Sequence, residues 1–251
     1  MPALNIRDFL LELKDDILDF IYPQGCPICQ RPLRRDEKEV CEDCWQTLAI
    51  LPAPFCPYCK SFLEDSSELL KHGCPCLDKP EDRRILAAIS VGTFDDYYQR
   101  LIHRFKYGKK IPLGRRLAQR LGDAVAREKE FAGCDLIVPV PLHRARYRER
   151  GFDQSEILAE GVSEVANIPL ARRILKRKKN TKDQTYLNAQ QRAENVRDAF
   201  SISQPEIAKN KKLILVDDVT TTGATLNECA RMLQDSGAKS IFSATLAVVV
   251  D

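Results

Sequence analysis

Four apolar runs along the chain predict buried strands. They cover residues 85–94, 136–140, 213–216 and 241–250. The run 213–216 follows three polar residues and ends in charge, which is typical of a strand covered on both faces of a parallel sheet. Apolar residues recur at helical spacing over 97–107 and 113–126, from about residue 153, and from residue 225 to Gly237. This pattern predicts an α/β domain with a parallel, Rossmann-like sheet flanked by helices.

The N-terminal segment has a different pattern. Residues 4–22 place apolar side chains such as Phe9, Leu13 and Ile17 on one face of a helix, and acidic residues occupy much of the other face. We expect an amphipathic helix over 1–22 that docks on the protein. Acidic residues interrupt every apolar run, which argues against a signal peptide and a membrane span. We therefore expect a cytoplasmic protein.

Composition adds little to this picture. The 251 residues are 44% hydrophobic, which is enough for a sizeable core and for two domains. The formal net charge of +3 is too small to indicate a nucleic-acid partner by itself.

Cysteines define an N-terminal module. Eight of the ten lie between residues 26 and 76, in four closely spaced pairs. Two-residue gaps let both sulfurs of a pair face one ion, and two pairs complete a tetrahedral zinc site. Two structural zinc sites are implied. Pairing in chain order gives Cys26, Cys29, Cys41 and Cys44 for one site, and Cys56, Cys59, Cys74 and Cys76 for the other. Crossed pairing, or replacement of a ligand in the last pair by His72, stays open.

A redox function is the alternative for these cysteines. The sequence CPYC at 56–59 resembles the dithiol motif of glutaredoxin-like proteins, but that motif needs a strand–helix context. Here it lies among three other cysteine pairs in a segment poor in apolar residues, so zinc is favoured over redox or iron–sulfur chemistry. Cys134 and Cys229 are isolated and are interpreted as buried thiols.

The stretch 213–225, LILVDDVTTTGAT, combines a strand, a turn and a helix N-terminus. Asp217 and Asp218 at the strand's end can accept hydrogen bonds from the two hydroxyls of a ribose. The following loop supplies hydroxyls and backbone N–H groups at the positive end of a helix dipole, which favours a phosphate. The residues of this predicted ribose 5-phosphate site are Asp217, Asp218, Thr220, Thr221, Thr222, Gly223, Ala224 and Thr225.

This stretch resembles the phosphoribosyl-pyrophosphate (PRPP) signature of type I phosphoribosyltransferases. The resemblance covers thirteen contiguous residues, and it implies PRPP and Mg²⁺ as ligands. An ordinary strand–helix turn with an acidic strand end is the structural alternative.

Two basic segments are candidates for the pyrophosphate of PRPP. After the strand at 136–140, arginines follow at every second position before Gly151, and guanidinium groups suit pyrophosphate oxygens. The segment 104–110, RFKYGKK, interleaves basic and aromatic residues and fits either a phosphate contact or a solvated helix end. The candidate residues are Lys106, Arg144, Arg146, Arg148, Arg150 and Gly151; a solvated basic loop is the alternative for the arginines.

The whole chain resembles the ComF family of bacterial competence-related proteins. The resemblance rests on VPVPLH and RGFDQS, then VDDVTTTGAT, behind an N-terminal cysteine-rich module. More familiar members have asparagine where Asp153 stands. The resemblance implies a double zinc ribbon over 23–80 and a type I phosphoribosyltransferase domain over 85–251. Some members are linked to uptake of transforming DNA.

Residues 171–200 are polar, highly charged and without apolar periodicity, which predicts a mobile loop. In type I phosphoribosyltransferases such a loop closes over the diphosphate. Gln184, Leu187, Arg192 and Asn195 match a pattern of the ComF family, and we interpret them as the exit of the loop and a helix that re-enters the core. The charge alone also fits a clamp on a DNA backbone.

Three functions follow from these observations. The first is transfer of phosphoribosyl from PRPP to an unknown acceptor, with Mg²⁺ and release of pyrophosphate. The second is binding of single-stranded DNA, or of the competence machinery, through the arginine-rich segments and the zinc module. The third is a scaffold whose site senses a nucleotide. The two intact aspartates favour PRPP binding without showing turnover.

Overall fold

The protein is described from a computed structural model, which covers residues 25–37, 39–51, 54–62, 74, 76, 83–179 and 189–250. The chain forms two compact units, Met1–Leu48 and Ala49–Asp251. The division falls between the two groups of cysteines, so the second group belongs to the same unit as the sheet. The expected helix 1–22 lies outside the described residues. The domain boundaries proposed from the sequence stay predictions.

In the first unit, the described residues form a cysteine-rich turn and one short helix. Gly25 and Pro32 pair across the turn. Helix α1 spans Glu42–Thr47, and the Cys41 sulfur caps its N-terminus by accepting from the Cys44 N–H group.

The second unit is built on a parallel sheet. Its strands are β1 (Ala88–Thr93), β2 (Leu136–Pro139), β5 (Lys212–Thr220) and β6 (Ser240–Val248), in the order β1-β6-β5-β2. All three neighbouring pairs are parallel. The four predicted strands therefore all form, although β1 is shorter than the apolar run at 85–94. Strand β5 reaches Thr220, because the chain stays paired with β6 beyond the acidic residues.

Helices connect and cover these strands. They are α2 (Asp96–Tyr107), α3 (Ile111–Arg127), α4 (Lys129–Ala132), α5 (Arg144–Arg150), α6 (Gln154–Ala166), α7 (Ala189–Val196), α8 (Pro205–Ala208) and α9 (Ala224–Asp235). Aspartate side chains cap the N-termini of two of these helices. Asp95 accepts hydrogen bonds from the first N–H groups of α2, and Asp153 accepts them from those of α6. Among the described residues, no helix is long and apolar enough to cross a membrane.

Helices α3 and α6 pack closely against each other. A Cβ atom on Gly161 of α6 would lie 2.5 Å from the Ala118 Cβ of α3, and one on Gly122 would lie 2.6 Å from the Val165 Cβ. Both glycines therefore permit an approach that any side chain would prevent. Since α6 also contacts β2 and β5, this packing fixes the N-terminal end of α6 near the strand ends.

Two segments that were expected to be loops contain regular elements, and α7 agrees with the helix expected at the exit of the second segment. The arginine-rich segment after β2 is helix α5, because it consists of good helix formers, is capped by His143 and ends at Gly151 in the left-handed region. The segment 171–200 contains β3 (Leu175–Arg177) and α7, and β3 pairs antiparallel with β4 (Phe200–Ile202). Elements this short show no readable periodicity, although Leu175 and Phe200 are buried. Gln184 and Leu187 lie outside the described residues.

Candidate functional site

A cleft of about 590 Å³ opens at the carboxyl ends of the parallel strands. Phe94, Val140 and Val249 each follow the last residue of a strand and line it, together with Asp217 and Asp218 near the end of β5. Ligands of open α/β sheets bind at this edge. Side chains from α2, α5 and α6 complete the walls.

The cleft brings together half of the predicted site residues. Asp217, Asp218, Thr221, Thr225, Lys106, Arg146 and Arg150 line it. Seven others are not among its lining residues: Thr220, Thr222, Gly223, Ala224, Arg144, Arg148 and Gly151.

Helical geometry separates the four arginines of α5. Residues four apart share a helix face, and residues two apart do not. Arg146 and Arg150 therefore face the cleft, whereas Arg144 and Arg148 are exposed and lie outside its lining. Arg150 is 7% exposed, and its guanidinium lies 5.0 Å from the Tyr107 ring centroid and donates to Tyr107 Oη over 3.3 Å.

The two aspartates are held by three side chains from α2 and α6. Lys106 Nζ lies 2.8 Å from Asp218 Oδ2, and Gln154 Nε2 donates to the same oxygen over 3.2 Å. Ser155 Oγ donates to Asp217 Oδ1 over 2.9 Å, and the Asp218 N–H group donates to that oxygen as well. Among the described residues these contacts reach only one oxygen of each carboxylate. The other oxygens are left for a ligand.

The two carboxylates interact strongly. Burial, followed by the charge of Asp218, raises the pKa of Asp217 to about 7. Hydrogen bonds from Asp218 N–H and Ser155 and the charge of Lys106 act in the opposite direction. A ligand that supplies hydroxyl donors or positive charge would therefore be stabilised beside these carboxylates.

The loop between β5 and α9 has the geometry of an anion site. Gly223 adopts φ +74° and precedes α9, whose twelve residues direct the positive end of the helix dipole into the loop. The Asn227 N–H group donates to the Gly223 carbonyl over 2.8 Å. The first turn of α9 thus presents backbone N–H groups toward the loop, and the Thr221 and Thr225 side chains lie in the cleft.

The lining residues that were not assigned to the site from the sequence include Gln154, Ser155, Arg177 and Arg192. The first two follow the N-cap Asp153, so their position at a helix start beside the acidic strand was a usable signal. Burial lowers the pKa of Arg177, while the charge of Asp217 raises it. No sequence pattern indicated that Arg177 would enter the cleft from β3.

The departure at Asp153 has a structural explanation. Its carboxylate accepts from the Ser155, Glu156 and Leu142 N–H groups and thereby joins α6 to the segment after β2. Burial raises the pKa of Asp153 to about 6. The residue therefore fixes the position of Gln154 and Ser155.

The eight paired cysteines form two clusters in chain order. They are Cys26, Cys29, Cys41 and Cys44, and Cys56, Cys59, Cys74 and Cys76, and within each cluster the sulfur atoms lie within 4.8 Å of one another. Close pairs are 3.4–3.6 Å apart and are not disulfides. A tetrahedral site with Zn–S bonds of about 2.3 Å has sulfurs about 3.8 Å apart, so both clusters fit zinc.

Comparisons with known families agree with this architecture. Residues 153–250 match the phosphoribosyl transferase domain, and residues 17–79 match the double zinc ribbon domain.

Comparisons with whole proteins agree with the matches to these two domain families. The chain is 32% identical over 225 residues to competence protein F of Haemophilus influenzae, covering 86% of this chain and 93% of that protein. It is 29% identical to the DNA utilization protein YhgH of Escherichia coli K12, covering 87% and 94%. It is 27% identical to competence protein ComFC of Streptococcus pneumoniae, covering 83% and 87%. With its zinc-ribbon module, its parallel sheet and its phosphoribosyltransferase domain, the chain belongs to the ComF family.

Proposed function

We propose that the cleft binds PRPP with Mg²⁺ and transfers its phosphoribosyl group to an acceptor, with release of pyrophosphate. The observation that carries this proposal is the arrangement of charge. Two carboxylates lie beside an anion-binding loop, and Lys106, Arg146, Arg150, Arg177 and Arg192 line the remaining walls of the same cleft. A phosphorylated sugar with a diphosphate needs both kinds of group.

The residues divide by the part of PRPP that they suit. The oxygens of Asp217 and Asp218 that face the cleft accept hydrogen bonds from the ribose hydroxyls. The α9 N-terminus, with Thr221 and Thr225, binds the 5-phosphate. Arg146 and Arg150 bind the diphosphate through charge-assisted hydrogen bonds, and the unpaired buried Nε of Arg150 is a donor that such a ligand would satisfy. Thr220, Thr222, Gly223 and Ala224 shape the loop.

The reaction requires stabilisation of charge more than a specific base. The bond between C1 and the diphosphate oxygen breaks, and its electron pair leaves with pyrophosphate. A lone pair of the acceptor then bonds to C1, and the acceptor loses one proton. The arginines stabilise the leaving group, and the aspartates orient the ribose. Bound Mg²⁺ would neutralise part of the diphosphate charge.

Lys106 changes its partner when the ligand binds in this scheme. Its side chain is 19% exposed, and its ammonium group neutralises Asp218. When a ribose hydroxyl takes its place at Asp218, Lys106 becomes available for the diphosphate. Binding of the ribose at Asp218 thus frees the Lys106 ammonium group, which can then stabilise the pyrophosphate leaving group.

The two cysteine clusters are proposed to bind one zinc ion each. Burial raises the pKa of Cys44 and of Cys76, and neighbouring sulfurs add to this effect. Four thiols this close together are therefore suited to a dication that favours their thiolate forms.

Binding of single-stranded DNA is the second candidate function. Eight basic residues and no acidic ones lie between residues 97 and 122, on α2, on α3 and in the segment between them. A basic segment of this kind suits a phosphate backbone, and the names of the relatives refer to competence and DNA utilization.

Calorimetric titration distinguishes the two functions. PRPP with Mg²⁺ should bind the wild type, and Asp218→Asn should abolish or strongly weaken this binding. Asp123→Asn, an exposed aspartate of α3 outside the cleft, is the matched control. Absence of PRPP binding, together with salt-sensitive DNA binding that Asp218→Asn retains, would replace the enzyme with the DNA-binding function.

A further inference from the structure

The two cysteine turns have the same backbone geometry. In the first, Cys26 N–H donates to the Arg31 carbonyl over 2.8 Å, and Gln30 N–H donates to the Cys26 carbonyl over 2.9 Å. In the second, Cys56 and Lys60 make the equivalent bonds, both 2.9 Å long. Gln30 and Lys60 adopt φ 63° and 64°. The turns are therefore structural repeats, and differences between their side chains are informative.

Several side chains differ between the two turns. Phe55, Tyr58 and Lys60 stand where the first turn has Gly25, Ile28 and Gln30. All three of these second-turn residues lie in the sheet-containing unit.

Phe55 and Tyr58 attach the second turn to β1 and to the segment before it. Phe55 and Ala88 exchange two backbone hydrogen bonds of 2.9 Å, and the fully buried Phe55 ring packs with Ala88 and Val248. Tyr58 Oη accepts from the Arg84 and Ile85 N–H groups, which precede the strand, over 2.8 and 3.2 Å. The turn is thus bonded to β1 and to the residues that lead into it.

Pro57 brings the same turn to the loop between β5 and α9, which we call the phosphate loop. A Cβ atom on Gly223 would lie 3.8 Å from the Pro57 carbonyl oxygen, so this carbonyl faces the side of Gly223 on which a side chain would stand. Lys60 Nζ donates to that carbonyl over 2.9 Å. The Cys56–Cys59 turn therefore lies between a cysteine cluster and the loop that precedes α9.

We propose that the Cys56–Cys59 turn positions the phosphate loop, so that metal binding at the second cluster, and not at the first, sets the affinity of the cleft for a phosphorylated ribose. The inference rests on the proposed function of the cleft. Four ligands around one ion would hold Cys56 and Cys59 together and keep Pro57 against Gly223. Release of the ion would free the turn and widen the range of loop conformations.

Matched cysteine variants test this proposal. Cys29 and Cys59 are both exposed and both end a turn of the repeat. Cys59→Ser and Cys29→Ser should each reduce the zinc content from two ions to one. Only Cys59→Ser should weaken binding of ribose 5-phosphate, measured calorimetrically, by about tenfold or more, because small displacements of a binding loop have effects of this size. Equal affinities in the two variants would overturn the proposal.

Variants that retain the cysteines distinguish an effect of the turn on the position of the loop from an effect of zinc loss. Tyr58→Ile and Lys60→Gln give the second turn the residues of the first. Each should keep two zinc ions and still weaken ribose 5-phosphate binding, whereas Ile28→Tyr should leave it within about twofold of the wild type. Unchanged affinity in both second-turn variants would show that the turn does not position the loop.

Amide hydrogen exchange measures, without any ligand, whether metal binding at the second cluster affects the phosphate loop. Amides over residues 221–226 should exchange faster in Cys59→Ser than in the wild type, and at the wild-type rate in Cys29→Ser. If the wild type binds no ribose 5-phosphate but exchange responds in this way, the proposed function is wrong and the coupling stands. If the wild type binds ribose 5-phosphate, and neither amide exchange nor affinity changes in Cys59→Ser, the proposed link between the second cluster and the phosphate loop is wrong.

Discussion

Single residues determine the charge balance of the cleft. Asp217 is the clearest example, because burial and the neighbouring carboxylate of Asp218 raise its pKa to about 7. The sequence predicted that the two aspartates would lie together. It could not predict the raised pKa of Asp217, since the burial of this carboxylate and its contacts with groups of other elements, such as Ser155, come from the fold.

Asp217→Asn is expected to change stability in a pH-dependent way. Between about pH 4 and pH 7, the folded protein holds a proton on Asp217 that the unfolded chain has lost. This proton stabilises the folded protein at low pH, and the stabilisation disappears as pH rises through 7. Relative to wild type, the variant should gain on the order of 2 kcal/mol between pH 5 and pH 8. Denaturant unfolding at both pH values measures this difference. An identical difference at the two pH values would contradict the account, and exposed Asp123→Asn serves as control.

The arginines of α5 offer a second test at this scale. Arg146→Gln should weaken PRPP binding by about tenfold, which is the order expected for loss of a charge-assisted hydrogen bond. Arg144→Gln should have little effect, because the Arg144 side chain is exposed and lies outside the cleft lining. Titration calorimetry of both variants checks the prediction, and equal losses would indicate a diffuse electrostatic effect.

At the scale of elements, strong hydrophobic patterns were the reliable signal. The apolar runs predicted all four parallel strands, and the thirteen-residue stretch 213–225 predicted the strand, loop and helix N-terminus of the site. Helix α5 and the short pair β3–β4 were missed. Helix α5 has polar residues on most of its surface, and three-residue strands carry no periodicity. The cleft wall formed by Arg177 was missed for the same reason.

Packing between α3 and α6 should be sensitive to any added side chain. Gly161→Ala places a methyl group 2.5 Å from Ala118 Cβ, so the helices must separate. We expect a loss of about 1–3 kcal/mol in the free energy of unfolding, as is typical of overpacked cores. Gly133→Ala, where the nearest atom would be 3.4 Å away, should be nearly neutral. Denaturant unfolding of both variants tests this, and equal stabilities would exclude the close packing.

At the scale of the whole molecule, contacts between the second cysteine turn and the sheet were the least predictable feature. Cysteine spacing predicted two metal clusters, and both form. Phe55 bonds the second turn to β1, and Tyr58 bonds it to the segment before β1. Contacts of this kind join residues about 30 positions apart and leave no local pattern in the sequence.

The purified protein should contain two zinc ions per chain. Elemental analysis should give this ratio for wild type and for Cys134→Ser and Cys229→Ser, since those two buried cysteines lie outside the clusters. Cys26→Ser should reduce the ratio to one. Two ions retained in Cys26→Ser, or none in wild type, would contradict the assignment of the clusters.

The most direct test of the account is a crystal structure of the protein with ribose 5-phosphate. The account predicts that the phosphate lies at the N-terminus of α9, beside Thr221 and Thr225, with the sugar hydroxyls on Asp217 and Asp218 and Lys106 released from Asp218. A phosphate bound elsewhere, with the contact between Lys106 and Asp218 intact, would contradict it.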